Sequence, residues 1–441
     1  QGIQVTAISP NADESYFQDE CRQEGVTLWP EFQSTGRIAD WFRAYRPYLL
    51  DDIMGNVALR TNHEQRFAHH PLRRATMEYI NSHLTPYAAF RAGVRQFERW
   101  VNRSQPIASL LRDLRPDWLV LPNPFGTWET VYMLHAHDLR IPVVCQMLSW
   151  DNITSKGTPL MMPDAFISWG PIMTEEIKTL YHFPPERIYE CGVPHFDVYT
   201  QSESLTPRED LLRRLGLPTT QPYLFYGMVA PYAAPRELDV ITWLVEKIRA
   251  NAFATPCSLV IRPHPQTIRG DYARDREEIT RLQALAGPLV ALDMPPVLSD
   301  LLAWDLPKSD MYTLSSLLAG SAICISVGST LCLDACMVDC PVISIGFDGD
   351  EELPYDQSAR RGLDFTHIKK MLALGGVRVA RSFADLEAHI NAYLRTPSLD
   401  RDGRAHTAAQ ECGPQDGHAA TRVATTLGTL CQQRLQGKRI G

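Results

Sequence analysis

The sequence predicts an α/β protein made of two Rossmann-like, doubly wound domains that face a cleft. Short apolar runs alternate with amphipathic stretches almost throughout the chain, which is typical of parallel sheets covered by helices. At 441 residues the chain is too long for one ordinary domain. A polar segment with three prolines, residues 202–222, indicates a linker. We expect domains over 1–200 and 223–416, a linker over 201–222, and a terminal helix in 417–441 that crosses back to the first domain.

The first domain is predicted from apolar runs that are bounded by proline, glycine and polar residues. Residues 43–103 are rich in arginine and histidine and are expected to be mostly helical. The predicted strands are 3–9, 117–122, 142–147, 164–169 and 188–191, and the predicted helices are 107–114, 129–139 and one ending at 182.

The second domain repeats the same alternation. Its predicted strands are 223–227, 258–262, 289–292, 322–326, 342–345 and 377–380. Its predicted helices are 207–215 in the linker, 235–251, 274–285, 311–319, one after Gly328, 383–394 and 417–435.

Composition narrows the range of functions. The chain is 44% hydrophobic and 21% charged, as expected for a globular protein with a large core, and its formal net charge is −8. A negative chain argues against a nucleic-acid partner, because phosphate backbones require a basic surface. The sequence has no run of 18 apolar residues, and its ten cysteines are scattered through it. No signal peptide is visible in the sequence, which starts at Gln1 and could be a trimmed form. We therefore expect reduced thiols and a cytoplasmic location.

One candidate site follows the predicted strand 322–326. The residues Gly328, Ser329 and Thr330 form a small polar turn before a helix, and Ser326 ends the strand. A helix start offers N–H groups and a partial positive charge to an anion. The same residues are equally compatible with a plain helix cap.

A second candidate site follows the strand 258–262, in the sequence Arg262-Pro263-His264-Pro265. Arginine carries a permanent charge and a fork that matches a phosphate. Histidine can donate to a phosphate oxygen or act as an acid. The two prolines are expected to hold the loop extended. A structural histidine is the alternative, but charged and prolyl residues crowded at a strand end favour function.

The loop after the strand 142–147 carries the candidate chemistry of the first domain. Asp151 is predicted to be a general base or a nucleophile, and Trp150, Asn152 and Lys156 are predicted to bind the acceptor. Asn152 and its neighbours are equally good turn formers. In the preceding loop, Glu129 is either an acid at the active site or a first-turn residue favoured by the helix dipole.

Two further patterns are interpreted as structural. Cys332, Cys336 and Cys340 recur every four residues, and small packing residues are favoured over a zinc site. We predict no metal. The acidic segment 348–352 is expected to be a solvated loop, although it could border a donor ribose or a cation.

Taken together, these motifs resemble bacterial GT-B glycosyltransferases of surface-polysaccharide assembly, in the group of the CDP-glycerol glycerophosphotransferases and retaining Kdo transferases. Arg262 to Pro265 resembles the His-Pro motif of that group, and Ser326 to Thr330 resembles its Ser-Ser or Ser-Thr motif. Segments 192–194 with Asp197, 393–397, 403–404 and 412–420 are also similar to such proteins. The resemblance covers roughly residues 106–430.

The resemblance implies a metal-independent transferase without a resident cofactor. Its C-terminal domain would hold a nucleotide-activated sugar through Arg262, His264, Ser326, Gly328, Ser329 and Thr330. Its N-terminal domain would hold a glycan or lipid-linked acceptor. Asp151, Glu129 and His264 would act in catalysis. The Arg- and His-rich segment 43–103 allows peripheral contact with the inner face of a membrane, although a solvated helical surface is favoured.

Several functions remain open from the sequence. The leading one transfers a sugar from a CMP-, CDP- or UDP-linked donor, with a CMP-linked acidic sugar such as Kdo weakly favoured. The alternatives are transfer of a polyol phosphate from a CDP donor, a UDP-sugar 2-epimerase of the same fold, and a binding protein without catalysis.

Overall fold

The computed structural model describes residues 3–31, 37–201, 203, 205–269, 273–299 and 305–436. The chain divides into two compact units. Unit 1 comprises Gln1–Gly192 and Thr421–Gly441, and unit 2 comprises Val193–Ala420.

Unit 1 contains two parallel sheets. Its strands are β1 (Thr6–Ser9), β2 (Thr27–Pro30), β3 (Leu119–Leu121), β4 (Val143–Gln146), β5 (Ala165–Ser168) and β6 (Ile188–Glu190). The strands β1 and β2 pair with each other, and the remaining four follow the order β3-β4-β5-β6. The helices are α1 (Ser15–Gln23), α2 (Arg37–Leu50), α3 (Val57–Arg66), α4 (Pro71–His83), α5 (Ala88–Val101), α6 (Gln105–Leu114), α7 (Thr127–Asp138), α8 (Asn152–Ser155) and α9 (Pro171–Leu180).

The segment between the two sheets of unit 1 is helical, as expected for residues 43–103. Helices α2 to α5 occupy most of it. A small apolar core of Tyr48, Ile53, Leu59 and Phe67 holds this part together. Helix α3 begins with a side-chain cap, because Asn56 Oδ1 accepts from the Leu59 N–H at 3.1 Å.

Unit 2 is built around one six-stranded parallel sheet. Its strands are β7 (Tyr223–Gly227), β8 (Ser258–Arg262), β9 (Val290–Leu292), β10 (Ile323–Ser326), β11 (Val342–Ile345) and β12 (Val377–Ala380). Its helices are α10 (Arg208–Arg214), α11 (Glu237–Arg249), α12 (Pro265–Arg269), α13 (Ala273–Leu285), α14 (Lys308–Gly320), α15 (Leu331–Met337), α16 (Thr366–Ala373), α17 (Phe383–Arg395) and α18 (Arg401–Thr407). Four strands, β7, β8, β10 and β11, are buried along their whole length, which explains their continuous apolar sequences.

The strand order of unit 2 is β12-β11-β10-β7-β8-β9. The chain therefore lays β8 and β9 on one side of β7 and then returns to place β10 on its other side. The pair β7 and β10 marks the point where the winding reverses. Open α/β sheets bind their ligands at the carboxyl ends of the strands at this point.

The last helix, α19 (Ala419–Leu435), begins in unit 2 and continues into unit 1. Its Val423 and Leu430 pack with Val144, Ala165 and Ile167 of unit 1. At its start, both carboxylate oxygens of Asp197 accept main-chain N–H groups, from Ala419 and Ala420, each at 2.9 Å. The carboxylate thus caps the positive end of the helix.

The predicted α/β class with parallel sheets is confirmed. The sequence does not predict β2, α8, α12, α16 or α18. The polar segment 201–222 lies in unit 2, and its helix α10 buries Leu211 and Leu212 completely. Among the described residues, none of the helices is both long enough and apolar enough to span a bilayer.

Candidate functional site

The candidate donor site of unit 2 lies at the carboxyl ends of four adjacent strands. Ser326 ends β10, Gly227 ends β7, Arg262 ends β8 and Asp293 follows β9. The ends of β10, β7 and β8 are joined directly. The Ser326 hydroxyl donates to the Gly227 carbonyl at 2.8 Å, and the Met228 N–H donates to the Arg262 carbonyl at 3.0 Å. The winding reversal between β7 and β10 therefore lies within this row of polar groups.

The turn after β10 packs tightly against β7. Ser326 and Ser329 hydroxyl oxygens are 3.2 Å apart, and the Gly328 N–H donates to the Ser344 hydroxyl at 3.1 Å. A Cβ atom on Gly227 would lie 2.0 Å from Cδ2 of Leu331, the first residue of α15. Glycine at the end of β7 therefore allows α15 to begin next to the turn. Thr330 is the cap residue of this helix, and its side chain makes no capping bond.

His264 lies in the same region, immediately before α12. Its carbonyl accepts from the Thr267 N–H at 2.9 Å, and its Nδ1 accepts from the Gln266 N–H at 3.2 Å. The side chain thus caps the helix, and Pro265 occupies the first helical position, where a missing N–H costs nothing. The proline was expected to extend the loop, and it instead starts a helix. Burial lowers the pKa of His264 to about 4, so a neutral ring with Nδ1 as acceptor carries its proton on Nε2.

Arg262 is held by two carboxylates. Its Nη1 donates to Asp293 and its Nη2 donates to Asp310 on α14. The side chain is only 10% exposed. A guanidinium that is shared by two carboxylates fixes the ends of β8 and β9 against α14. These contacts give Arg262 a structural role, and the sequence motif alone supports its predicted phosphate-binding role.

In unit 1, the strands β3 and β4 are neighbours, and so are the loops that follow them. Asp151 lies in the second loop. Its carboxylate accepts from the hydroxyls of Ser149 and Ser155, the latter at 2.7 Å. Its carbonyl accepts from the Thr154 and Ser155 N–H groups at 3.1 and 2.9 Å. Asp151 therefore organises the turn of α8 as well as carrying a carboxylate.

The predicted acceptor residues surround Asp151 in sequence but differ in exposure. Trp150 and Asn152 are buried, whereas Lys156 is exposed. Lys156 ends the turn through a bond from its N–H to the Asn152 carbonyl at 3.2 Å. Of the three, only Lys156 has an exposed side chain.

Glu129 lies in the first turn of α7 and folds back onto the helix start. It accepts from Asn123 Nδ2 at 3.3 Å and from the N–H groups of Trp128 and of Glu129 itself. A Cβ on Gly126 would lie 1.8 Å from Glu129 Oε2, so glycine makes room for the carboxylate. Burial raises the pKa of Glu129. This geometry matches the helix-start alternative and leaves an acid with an elevated pKa.

The cysteine and acidic segments are built into the fold. Cys332, Cys336 and Cys340 are buried as free thiols, and burial raises the pKa of each. Within the described residues, no group of three or more His, Cys, Asp or Glu side chains is arranged to hold a metal ion. Asp348 is buried and accepts from the Ser358 hydroxyl at 2.6 Å and the Ala359 N–H at 2.7 Å. It therefore anchors the acidic loop.

Asp334 of α15, which the sequence places one turn beyond the Gly328-Ser329-Thr330 motif, is a buried acid. It is 7% exposed and accepts from the hydroxyl of the buried Tyr199 at 2.6 Å. Burial raises the pKa of Asp334 to about 7.

Comparison with known proteins shows the fold alone. No family model matches the chain, and no curated protein matches it. A structure from Listeria monocytogenes, assigned as a UDP-N-acetylglucosamine 2-epimerase, matches with a TM-score of 0.52 and 13% identity over 78% of this chain and 80% of that one.

Two further structures have lower TM-scores. The UDP-GlcNAc 2-epimerase of Neisseria meningitidis, bound to UDP-GlcNAc, has a TM-score of 0.48 with 13% identity over 73% of this chain and 79% of its own. A glycosyltransferase of Rickettsia africae has a TM-score of 0.46 with 11% identity over 99% and 89%. The likeness to the Listeria structure shows a fold of the GT-B kind and nothing finer. The narrower resemblance to CDP-glycerol glycerophosphotransferases and Kdo transferases stays a prediction.

Proposed function

We propose that the protein is a glycosyltransferase that moves a sugar from a nucleotide-activated donor to a glycan or lipid-linked acceptor. One observation carries the proposal. The polar residues of the candidate donor site lie on adjacent strand ends where the winding of the unit 2 sheet reverses, which is the usual ligand position in this class of sheet.

The donor would bind through groups that do not need to change their charge. His264 is neutral at pH 7 because its pKa is about 4, and its Nε2–H would donate to a phosphate oxygen. The hydroxyls of Ser329 and Thr330 would add further donors, while Ser326 and Gly328 hold the turn against β7 and β11. Such preorganised donors stabilise the negative charge on a departing nucleotide.

The transfer step needs a base for the acceptor. The bond from the anomeric carbon to the donor phosphate breaks, the acceptor oxygen bonds to that carbon, and the hydroxyl proton moves to a carboxylate. We propose Asp151 or Glu129 for this role. Burial raises the pKa of Glu129, which strengthens this carboxylate as a base once it is ionised. Two hydroxyl donors hold the carboxylate of Asp151.

The finer proposal is a cytidine nucleotide donor. A CMP-linked acidic sugar such as Kdo follows from the motif resemblance, and transfer of a polyol phosphate from a CDP donor is its variant. The enzyme would need no resident cofactor.

A 2-epimerase acting on a UDP-sugar is the second candidate, because the structure with a TM-score of 0.52 is assigned to that activity. An epimerase changes one ligand and uses no acceptor. Incubation with the nucleotide sugar alone, followed by NMR of the sugar ring, would detect epimer. Release of free nucleotide only when a glycan acceptor is added would instead support the transferase.

The nucleotide is tested by thermal shift with CMP, CDP, UMP, UDP and GDP. A bound nucleotide at about a hundredfold excess over Kd adds about 2.7 kcal/mol of stability. His264→Ala should abolish the shift, and Ser329→Ala should reduce it. His406→Ala is the matched control, because His406 is an exposed histidine on α18 of the same unit. If His264→Ala binds a nucleotide as tightly as the wild type does, the proposed site is contradicted.

We also propose peripheral contact of the protein with an anionic membrane, from the cytoplasmic side. Residues 37–103 contain eleven arginines, no lysine and six carboxylates, in a chain of net charge −8. In α5, Glu98 is buried while Trp100 is 64% exposed. Flotation with phosphatidylglycerol vesicles should exceed flotation with phosphatidylcholine vesicles, and Trp100→Ser should reduce it. Equal flotation with both would contradict this contact.

A further inference from the structure

The loop of residues 149–158, which carries Asp151 and Lys156, is held by side chains from the mostly helical segment 37–103. Thr158 shows this most directly. Its N–H donates to Asp51 Oδ1 at 2.7 Å, and its carbonyl accepts from Arg46 Nη2. Two side chains of opposite charge, one from α2 and one from the residue after it, thus satisfy both main-chain groups of a single loop residue.

Asp51 also shapes the loop by its volume. Gly157 has a φ of +79°, a region that favours glycine. A Cβ atom there would lie 2.3 Å from Asp51 Oδ2 and 2.7 Å from Asp51 Cγ. The loop main chain therefore lies directly against the carboxylate. Asp51 is itself fixed, because its carbonyl accepts from Asn81 Nδ2 at 2.7 Å.

Arg46 is fixed by a second buried charge. Its Nε lies 2.7 Å from Glu98 Oε1, and the Glu98 side chain is 1% exposed. The pair joins α2 to α5. Arg46 Nη2 donates to the Thr158 carbonyl, so Glu98 orients the guanidinium that binds the loop.

Two further side chains reach the same loop. Asn56 Nδ2 donates to the Thr154 carbonyl at 2.8 Å. The Tyr181 hydroxyl lies 3.3 Å from the Ile153 carbonyl and 3.2 Å from the Gly157 carbonyl. Main-chain carbonyls of three loop residues besides Thr158 are therefore met by side chains that are distant in sequence.

We propose that Arg46 and Asp51 are positioning residues that hold the loop 149–158 in the conformation presenting Asp151 and Lys156. This inference rests on the proposed acceptor role of that loop, and it gives the segment 37–103 a role in the site. A free loop of this length would have to be ordered by the acceptor at each turnover. Arg46 and Asp51 order the loop in advance, which favours productive binding of the acceptor.

The test is a double-mutant cycle read by hydrogen exchange of the loop amides, which requires no substrate. Gly157→Ala should speed the exchange of residues 152–158 by about tenfold or more, because the new Cβ meets Asp51. Asp51→Ala should also speed it by about tenfold. In the Asp51→Ala background, adding Gly157→Ala should cost much less than in the wild type, since the carboxylate is gone.

Gly25→Ala is the matched control. Gly25 also has a positive φ, of +67°, in unit 1, and a Cβ there would have no neighbour within 4 Å. It should leave the exchange of residues 152–158 unchanged. If Gly157→Ala has the same effect with and without the Asp51 carboxylate, the positioning role is overturned. Asp51→Asn keeps the shape of the side chain and an acceptor oxygen, and it serves as the second variant if Gly157→Ala does not fold. Exchange of the loop amides at the wild-type rate in both Asp51→Asn and Asp51→Ala would also overturn the positioning role.

Activity separates this inference from the proposed function. Thermal shift by the donor nucleotide should be the same in Asp51→Ala as in the wild type, whereas transfer to an acceptor should fall. If loop exchange is faster but transfer is unchanged, Arg46 and Asp51 position the loop, and the loop has no acceptor role.

Discussion

Two arginines with largely covered side chains, one in each unit, are held by different sets of partners near the ends of strands. Arg262 is 10% exposed and Arg46 is 12% exposed. Arg262 donates to two carboxylates, Asp293 and Asp310. Arg46 pairs with one, Glu98, and gives another donor to a main-chain carbonyl of the loop 149–158.

The difference separates two uses of the same side chain. Arg262 has two carboxylate partners within unit 2, so its charge is already balanced by side chains of the fold. Arg46 is neutralised by one carboxylate and still binds a loop. A permanent cation at a strand end therefore does not by itself indicate a phosphate site, because the partners that surround it decide what it can bind.

Replacing Arg262 should have the largest effect. Arg262→Met leaves Asp293 and Asp310 facing each other without a cation in a buried region, and the free energy of unfolding should fall by about 3–5 kcal/mol. Urea unfolding followed by circular dichroism measures it. A variant with wild-type stability that has lost nucleotide binding would reverse the assignment and return Arg262 to the phosphate.

The strands of unit 2 could be predicted from the sequence almost residue by residue. β7 and β8 match the predicted ranges because buried parallel strands form unbroken apolar runs between proline and glycine residues. In contrast, α18 has the sequence RDGRAHT and lacks an apolar stripe. It is held by the buried Arg404, which bonds Asp339 and the Leu399 carbonyl. Contacts of that kind leave no periodic pattern.

Asp334 is a buried carboxyl whose partner is a neutral tyrosine hydroxyl and not an arginine, and it extends the comparison of buried charges. Burial raises the pKa of Asp334 to about 7, while the Tyr199 hydroxyl opposes that rise. The folded state therefore keeps a proton that the unfolded state loses above its ordinary pKa near 3.8. The contribution to stability is complete below that value and is lost as the pH rises to about 7.

Asp334→Asn should remove this loss, because the amide has no charge to bury. Relative to the wild type, its free energy of unfolding should rise by about 1.4 kcal/mol for each pH unit between pH 5 and 7 and then level off. Urea unfolding at pH 5, 6, 7 and 8 measures the difference. A pH-independent difference would mean that Asp334 is ionised throughout.

Replacing Arg46 should have a smaller global effect and a sharper local one. Arg46→Met leaves Glu98 without its cation, at a cost of about 2–3 kcal/mol, and frees the Thr158 carbonyl. Hydrogen exchange should increase in residues 149–158 more than in β4. Uniform acceleration across unit 1 would show that Arg46 stabilises the fold without a specific effect on the loop.

The candidate site could be predicted only in part, for the same physical reason. The motifs around His264 and Ser329 are local in sequence, so strand ends and turns pointed to them. The partners that define each side chain lie far away: Asp310 is 48 residues from Arg262, and Asp51 is 107 residues from Thr158. Sequence periodicity carries no information about such pairs.

An exposed arginine gives the lower limit of the comparison. Arg213 of α10 pairs with Glu209 at 2.8 Å and Asp210 at 2.5 Å, and it has the same number of carboxylates as Arg262. Its side chain is 61% exposed, so water already solvates all three charges. Arg213→Met should change the free energy of unfolding by less than about 0.5 kcal/mol, and that change should shrink in 1 M salt. A loss comparable to that of Arg262→Met would show that the number of carboxylates, and not their burial, sets the energy of both sites.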